Sequence, residues 1–187
     1  MEDCTPVGTP MLPGLKLTKD QAPSTDEERE YMSKIPYINA VGSLMYLAIA
    51  TRPDISYAVG VLARFSANPG IEHWKAVKHL FRYLKGTVNY GITYSPTSTN
   101  SALFTTYSDA DHGGDPATLK STGAYLVKMG TGAVDWQSKL QTIVVLSTTE
   151  AEYLSAVSAG QAILWYRNLF EELGYKPTES SLLLIDN

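Results

Sequence analysis

Side chains that build thiol or imidazole metal sites are scarce in this sequence, which has one cysteine and three histidines among 187 residues. The lone Cys4 excludes an intramolecular disulfide framework and a cysteine-ligated zinc site. A single cysteine is also typical of a reducing compartment, so an intracellular location is expected, and the sequence does not favour the cytoplasm over the nucleus.

Long apolar runs and an excess of basic charge are missing as well. The longest apolar stretch, residues 40–50, is interrupted by Gly42 and Ser43 and is too short to cross a bilayer, so no membrane partner is expected. Residues 1–23 lack the basic start and the apolar stretch of a signal peptide. The net charge is −4, so any surface that binds nucleic acid must be local.

The hydrophobic pattern changes once along the chain, from helical spacing to short β-rich runs. Proline-rich residues 1–23 predict an extended tail, and residues 24–94 predict a helical segment that ends before the second half, residues 95–187. Strands are predicted for four runs rich in β-branched and aromatic residues: 90–94, 102–111, 122–129 and 133–139. A long helix is predicted from Thr148 to Leu173, followed by a buried strand in the apolar run that starts at Leu182. Strands followed by a helix and a further strand predict an α/β domain with a helical crossover into a mixed sheet.

Residues 71–85 have the clearest amphipathic pattern of the helical part. One side of the predicted helix is apolar and consists of Trp74, Val77, Leu80, Phe81 and Leu84. The other side, here called the basic stripe, consists of Lys75, Lys78, His79, Arg82 and Lys85, with no acidic residue assigned to it. The stripe is either the solvated face of a packed helix or a surface that follows a phosphate backbone, and the sequence leaves both interpretations open.

Several carboxylates lie where the ends of predicted elements could bring them together. Asp109 lies at the end of a predicted strand, where a side chain reaches a cleft while its backbone stays rigid. Asp111 follows on the same side, and a turn aspartate that bonds its own backbone is the simpler interpretation for it. Asp186 alternates with Leu184 and Leu182 at the end of the last strand.

Two glutamates compete for the position at the start of the long helix. Glu150 has capping-box spacing from Ser147, which favours a structural role. Glu152 instead shares the small and apolar helix face that should pack on the sheet, where a carboxylate is costly unless a cation compensates it. Converging carboxylates suit hard cations such as Mg²⁺ and Mn²⁺, so the predicted metal-binding and catalytic set is Asp109, Glu152 and Asp186.

Motifs in both halves of the chain follow one another in a specific order. The helical half contains AVGSLMYL (40–47), TRPDI (51–55) and HLFRYLKGT (79–87), and the second half contains YSDAD (107–111), KST (120–122) and STTEAEY (147–153). Together these segments resemble the Pol polyprotein of copia-type LTR retrotransposons over nearly the whole chain. The first three are similar to the thumb and connection of that family's reverse transcriptase, and the last three are similar to its ribonuclease H domain.

The resemblance implies a ribonuclease H-like fold that hydrolyses the RNA strand of RNA–DNA hybrids. It also implies two Mg²⁺ ions held by the set onto which Asp109, Glu152 and Asp186 map, and a substrate recognised by shape rather than base sequence. No Tyr-x-Asp-Asp motif occurs, so polymerase activity is not expected.

The chain ends after Asp186, whereas the family's domain continues with further helices, a fifth strand and a fourth metal-binding acid. A truncated domain is therefore expected, with a second chain that completes the sheet as a candidate partner. The alternative is an inactive retroelement remnant that binds nucleic acid or protein. In that case Lys75, Lys78, Arg82 and Lys85 are the predicted nucleic-acid contacts.

Overall fold

The structure is a computed structural model that describes residues 3–95 and 102–186. The chain forms two compact units, Met1–Gly91 and Ile92–Asn187. Residues 96–101, which belong to the predicted second half of the chain, and the final residue, Asn187, lie outside the described residues. The three functional domains inferred from the sequence stay a prediction.

The first unit is built from four α-helices: α1 (Asp26–Ser33), α2 (Tyr37–Ala50), α3 (Ser56–Ala63) and α4 (Ile71–Gly86). Two short 3₁₀ turns, Lys19–Gln21 and Pro53–Ile55, precede α1 and α3 respectively. Pro53 suits a helix start because its missing N–H would have no intrahelical partner there. The apolar faces of α2, α3 and α4 meet in one core, which includes Val41, Leu44, Leu62, Val77 and Leu80.

Two details of this unit differ from the sequence prediction. In the sequence, Val41, Leu44, Met45, Ala48 and Ile49 recur at helical spacing, which predicts one apolar face for α2. The side chains of Met45 and Ile49 are nevertheless exposed. The described residues 3–22 contain no strand and only one 3₁₀ turn, but bends at 8–11 and a turn at 13–14 interrupt the predicted extended conformation, and the segment does not form a free tail. Leu17 is buried in the core, with Val7, Met11 and Leu15 packed partly buried against it.

The second unit contains a four-stranded sheet and one long helix. Strands β1 (Phe104–Ala110), β2 (Thr122–Met129) and β3 (Gly132–Leu140) are consecutive antiparallel neighbours. Helix α5 (Thr148–Glu172) then carries the chain back to β4 (Leu182–Ile185), which pairs with β1 in parallel. The strand order is β3-β2-β1-β4. This mixed α/β architecture confirms the predicted fold class and is compatible with a ribonuclease H-like fold.

One face of β1 packs against α5 through aromatic side chains. Phe104 is fully buried, with its ring 5.6 Å from that of Tyr166 and 5.3 Å from that of Phe170. Thr106 and Ser108, the next residues on this face, are buried as well. The other face of β1 is more exposed and ends in Asp109.

The strand predicted at 90–94 is wrong, and the burial predicted for the last strand is wrong as well. The described residues 90–95 form no strand, and Tyr94 instead donates its hydroxyl proton to the Ala133 carbonyl oxygen. The apolar run of β4 is a strand but is not buried, since Leu182, Leu184 and Ile185 are all exposed. Its exposure follows from position, because β4 is the outermost strand of the sheet that the described residues form. Within those residues, no helix has the length and apolar character needed to cross a membrane.

Candidate metal centre

Three carboxylates converge at one end of the sheet. Asp109 is the penultimate residue of β1, and Asp186 directly follows β4. The two strands are parallel neighbours in which Ser108 pairs with Ile185, so the two acids leave the same edge of the sheet side by side. Glu152 reaches this point from near the start of α5. One oxygen from each of the three carboxylates lies within 4.8 Å of the others.

Glu152 is the buried member of the cluster, with a residue exposure of 7%. Its Oε1 accepts a hydrogen bond from the backbone N–H of Ala110 at 3.1 Å, whereas its buried Oε2 has no hydrogen-bond partner among the described residues. Burial raises the pKa of the Glu152 carboxyl, the Ala110 N–H lowers it, and the Asp109 and Asp186 carboxylates raise it further. An anionic Glu152 is therefore disfavoured unless a positive charge binds nearby.

The cluster has the features that a divalent cation requires. Asp109 and Asp186 are exposed and keep carboxylate oxygens accessible, while the Oε2 of Glu152 is buried and unsatisfied. An orphaned buried oxygen is costly, and a bound cation would remove that cost. An all-carboxylate donor set fits Mg²⁺ or Mn²⁺.

The two competing acids have structural roles. Asp111 Oδ1 accepts hydrogen bonds from the backbone N–H groups of Thr122 (2.7 Å) and Gly114 (3.2 Å), as the turn interpretation predicts. Glu150 is exposed, and its N–H donates to the Ser147 hydroxyl in a helix cap. The return contact of Glu150 differs from the predicted capping box, because its carboxylate accepts from the N–H of Leu146 rather than that of Ser147.

Ser155 is a residue near the cluster that the sequence did not indicate. It lies three residues after Glu152 on the same side of α5 and is buried, with an exposure of 3%. Its Oγ lies 2.8 Å from the carbonyl oxygen of Asp109. A serine on an otherwise small and apolar helix face was the available signal, but serine is common enough in helices that this signal is weak.

The basic stripe is largely occupied within the first unit. Arg82 donates from Nε to the Thr5 carbonyl oxygen at 2.7 Å, and Lys85 donates to that of Cys4 at 2.9 Å. The Nε2 of His79, a buried residue, lies 3.0 Å from the Thr9 carbonyl oxygen. The extended residues 4–9 thus run antiparallel to the C-terminal half of α4 and satisfy its basic side chains.

Glu72 corrects the prediction that no acid belongs to this surface, because it forms an ion pair of 2.6 Å with Lys75. Lys78 is half-buried on the same face of α4. Lys75, Lys78, His79 and Arg82 line one surface pocket, together with Glu72 and apolar residues of the N-terminal segment. Their role in nucleic-acid binding stays a prediction.

Comparison with known proteins places the chain in a family. It is 46% identical over 179 residues to the retrovirus-related Pol polyprotein from transposon TNT 1-94 of Nicotiana tabacum, which covers 96% of this chain and 13% of that protein. It is 42% identical over 182 residues to the corresponding polyprotein from transposon RE1 of Arabidopsis thaliana, covering 97% of this chain and 12% of that protein. The chain belongs to the retrovirus-related Pol polyproteins of copia-type transposons, as its motifs predicted, and spans about an eighth of the length of these relatives.

A much shorter protein is similar to this chain as well. The secreted RxLR effector protein 161 of Plasmopara viticola is 45% identical over 134 residues, which cover 72% of this chain and 93% of that protein. No protein-family model matches the chain. No solved structure matches it either.

Proposed function

We propose that the second unit is a metal-dependent nuclease of the ribonuclease H type, which hydrolyses the RNA strand of RNA–DNA hybrids. The observation that carries this proposal is the convergence of Asp109, Glu152 and Asp186 within 4.8 Å around a buried, unpartnered carboxylate oxygen. The resemblance of YSDAD (107–111) and STTEAEY (147–153) to the ribonuclease H domain of the Pol family supports it, because that resemblance implies that Asp109, Glu152 and Asp186 correspond to the metal-binding set.

The three acids have separate tasks in this proposal. Asp109 and Asp186, which are both exposed, would hold the metal through their accessible carboxylate oxygens. Glu152 is anchored through its Oε1 to the Ala110 N–H, which leaves Oε2 as a fixed ligand on the inner side. Bound Mg²⁺ or Mn²⁺ supplies an activated water and stabilises the charge on the leaving 3′ oxygen.

The hybrid is the substrate class that the family resemblance favours, and it would be recognised through the shape of its backbone. In the same proposal the helical first unit corresponds to the thumb and connection of a reverse transcriptase. It would act as a neighbouring segment of the polyprotein and not as a polymerase.

Cleavage of a labelled RNA–DNA hybrid in Mg²⁺ and in Mn²⁺ tests the proposed activity. We expect metal-dependent cleavage by the wild type and a fall to background for Asp109→Asn and Glu152→Gln. Glu150→Gln is the matched control, because it removes an equivalent charge two residues away on the exposed side of the same helix. Equal cleavage by wild type and Asp109→Asn would identify a contaminating nuclease and refute the proposal.

A non-catalytic binding protein is the second candidate function. The observation that favours it is the effector-type relative, since the chain covers 93% of a protein too short to be a polyprotein. Absence of metal-dependent cleavage by the wild type, together with hybrid binding that weakens with salt, would support this candidate.

Lys78→Glu tests whether the basic stripe contributes to such binding, and it is preferable to changing Arg82, which holds the N-terminal segment. We expect weaker hybrid binding if the stripe contacts phosphates. Unchanged affinity would identify the stripe as a structural surface of the first unit.

A further inference from the structure

The peptide group between Asp109 and Ala110 is held at both ends by side chains of α5. Its N–H donates to Glu152 Oε1 at 3.1 Å, and its carbonyl oxygen lies 2.8 Å from the Oγ of Ser155. Glu152 and Ser155 are three residues apart and therefore share one helix face. One turn of α5 thus fixes the backbone from which the Asp109 side chain leaves the sheet.

Ser155 also contacts the neighbouring strand at the residue paired with Asp109. Ala124 is the partner of Asp109 in the β1–β2 ladder, and its N–H donates to Ser155 Oγ at 3.1 Å. The same Oγ lies 2.8 Å from the Ala124 carbonyl oxygen, so its single proton is shared between the carbonyls of Asp109 and Ala124. The hydroxyl therefore contacts both strands at one rung of the ladder.

Gly123 makes this close approach of helix and sheet possible. A Cβ at this position would lie 3.2 Å from the Oγ of Ser155, which is tighter than ordinary van der Waals contact, and 3.4 Å from its Cβ. The spacing between α5 and β2 is thus set by a glycine facing a small polar side chain. The hydrogen bonds of Ser155 to Asp109 and Ala124 thus occur at a point where helix and sheet lie close together.

We propose that Ser155 is a positioning residue of the carboxylate cluster, which holds the Asp109–Ala110 peptide group in register with Glu152 so that the two carboxylates meet one cation. The inference rests on the proposed function, because it assigns Ser155 a purpose in metal binding. Residues that orient metal ligands through hydrogen bonds typically contribute about 10- to 100-fold in metal affinity or activity.

Binding of Mn²⁺ to the full chain, followed by the electron paramagnetic resonance signal of the free ion, measures the effect without relying on cleavage. We expect Ser155→Ala to weaken Mn²⁺ binding about 10-fold. Ser158→Ala is the matched control and should bind as the wild type does, because among the described residues the Ser158 hydroxyl donates to the Leu154 carbonyl oxygen within the same helix. In hybrid cleavage, Ser155→Ala should lower kcat and leave KM unchanged, since Ser155 contacts the backbone of the metal-binding residue Asp109 and is not proposed to contact the substrate.

A second, metal-free measurement addresses the geometry directly. Amide hydrogen exchange at Ala110 should be faster in Ser155→Ala than in the wild type and unchanged in Ser158→Ala, because a looser peptide group opens more often. If circular dichroism shows that Ser155→Ala does not fold, Ser155→Cys replaces it. Its thiol is a weak hydrogen-bond donor, and it should weaken Mn²⁺ binding in the same direction.

The outcomes separate the inference from the proposed function. A wild type that binds Mn²⁺, with a folded Ser155 variant that binds it within about twofold of the same affinity, would overturn the positioning role and leave the nuclease proposal intact. A wild type that does not bind Mn²⁺ at millimolar concentration would remove the nuclease proposal and this inference with it. Weaker binding by both Ser155→Ala and Ser158→Ala would also overturn the specific role of Ser155.

Discussion

Glu152 and His73 are buried titratable side chains whose surroundings disfavour their charged forms. Glu152 has one oxygen bonded to the Ala110 N–H and one without a partner in the described part of the chain. His73 is fully buried and stacks on Phe65 with ring centroids 4.1 Å apart. Both side chains are buried because each lies on the face of its helix that packs into the core of its unit.

His73 should make the stability of the protein depend on pH. Burial lowers the pKa of the imidazole, which in its neutral form accepts from the Gly70 N–H at 2.8 Å through Nδ1. Its Nε2 lies 3.1 Å from the Thr18 carbonyl oxygen, to which it donates in this form. A lowered pKa means that the unfolded chain binds the proton first, so stability is lost as the pH falls below the unfolded value of about 6.5.

We expect His73→Gln to remove this pH dependence, because glutamine at the same helix position still accepts from the Gly70 N–H and does not titrate. Urea unfolding at pH 7 and pH 5 measures the change in the free energy of unfolding with pH. For one titrating group this free energy changes by at most about 1.4 kcal/mol per pH unit. His112→Gln, in an exposed turn, is the control. Identical slopes for wild type and His73→Gln would contradict the assignment.

At the scale of elements, the start of α3 and the end of α4 are joined by one arginine. Arg52 is buried and donates to both carboxylate oxygens of Asp54, at 2.8 and 2.7 Å. The same guanidinium donates to the carbonyl oxygen of Thr87 at 3.1 Å and to its hydroxyl at 2.6 Å. Tyr83 adds a hydrogen bond to Asp54 at 2.8 Å, so the network ties two helix ends that are distant in sequence.

Arg52→Lys should destabilise the protein by about 2 kcal/mol, because a lysine ammonium cannot replace the planar guanidinium, which donates to Asp54 and Thr87 at the same time. The free energy of unfolding in urea measures the loss. Arg29→Lys is the matched control, since its ion pair with Asp26 is exposed on α1 and should contribute little. A loss at Arg52 no larger than that at Arg29 would show that the network does not stabilise the fold.

The amphipathic pattern predicted α4, but it did not predict which part of the chain packs on the polar side of this helix. The stripe of basic residues was compatible with solvent or with phosphate, and the structure places the backbone of residues 4–9 there. A helical wheel gives the direction of each side chain and contains no information on which remote segment covers it. The same limit explains β4, whose apolar sequence predicted burial although its place at the edge of the described sheet exposes it.

At the scale of the whole molecule, the carboxylate cluster exists because of the crossover. Helix α5 returns the chain so that β4 lies parallel to β1, and the C-terminal ends of the two strands then share one edge. Three like charges gathered there oppose folding when no cation is bound. Metal binding should therefore act on stability as well as on any catalysis.

Mn²⁺ should raise the unfolding temperature of the wild type and leave that of Glu152→Gln unchanged. At a free Mn²⁺ concentration ten times the Kd, binding to the folded state alone contributes about 1.4 kcal/mol. Without metal, Glu152→Gln should be more stable than the wild type by a few degrees, or about 1 kcal/mol, because it removes a buried charge beside two others. Thermal unfolding by circular dichroism with and without Mn²⁺ measures both effects.

Glu150→Gln is the reference for this measurement and should keep the full response to Mn²⁺. An equal response by Glu152→Gln would show that the ion stabilises the protein from another site. A metal-free Glu152→Gln less stable than the wild type would contradict the account of the buried charge.

The sequence by itself determined the family, most helix and strand bounds, and the choice of Asp109, Glu152 and Asp186, because periodicity and short motifs are local properties. The tertiary structure alone decided that these three acids converge, that Asp111 accepts hydrogen bonds from the backbone of its own turn, and that Ser155 forms a hydrogen bond with the Asp109 carbonyl oxygen. It also decided that His79, Arg82 and Lys85 of the basic stripe contact the N-terminal segment and that β4 is exposed. Each of these depends on contacts between residues far apart in the chain, which local pattern does not encode.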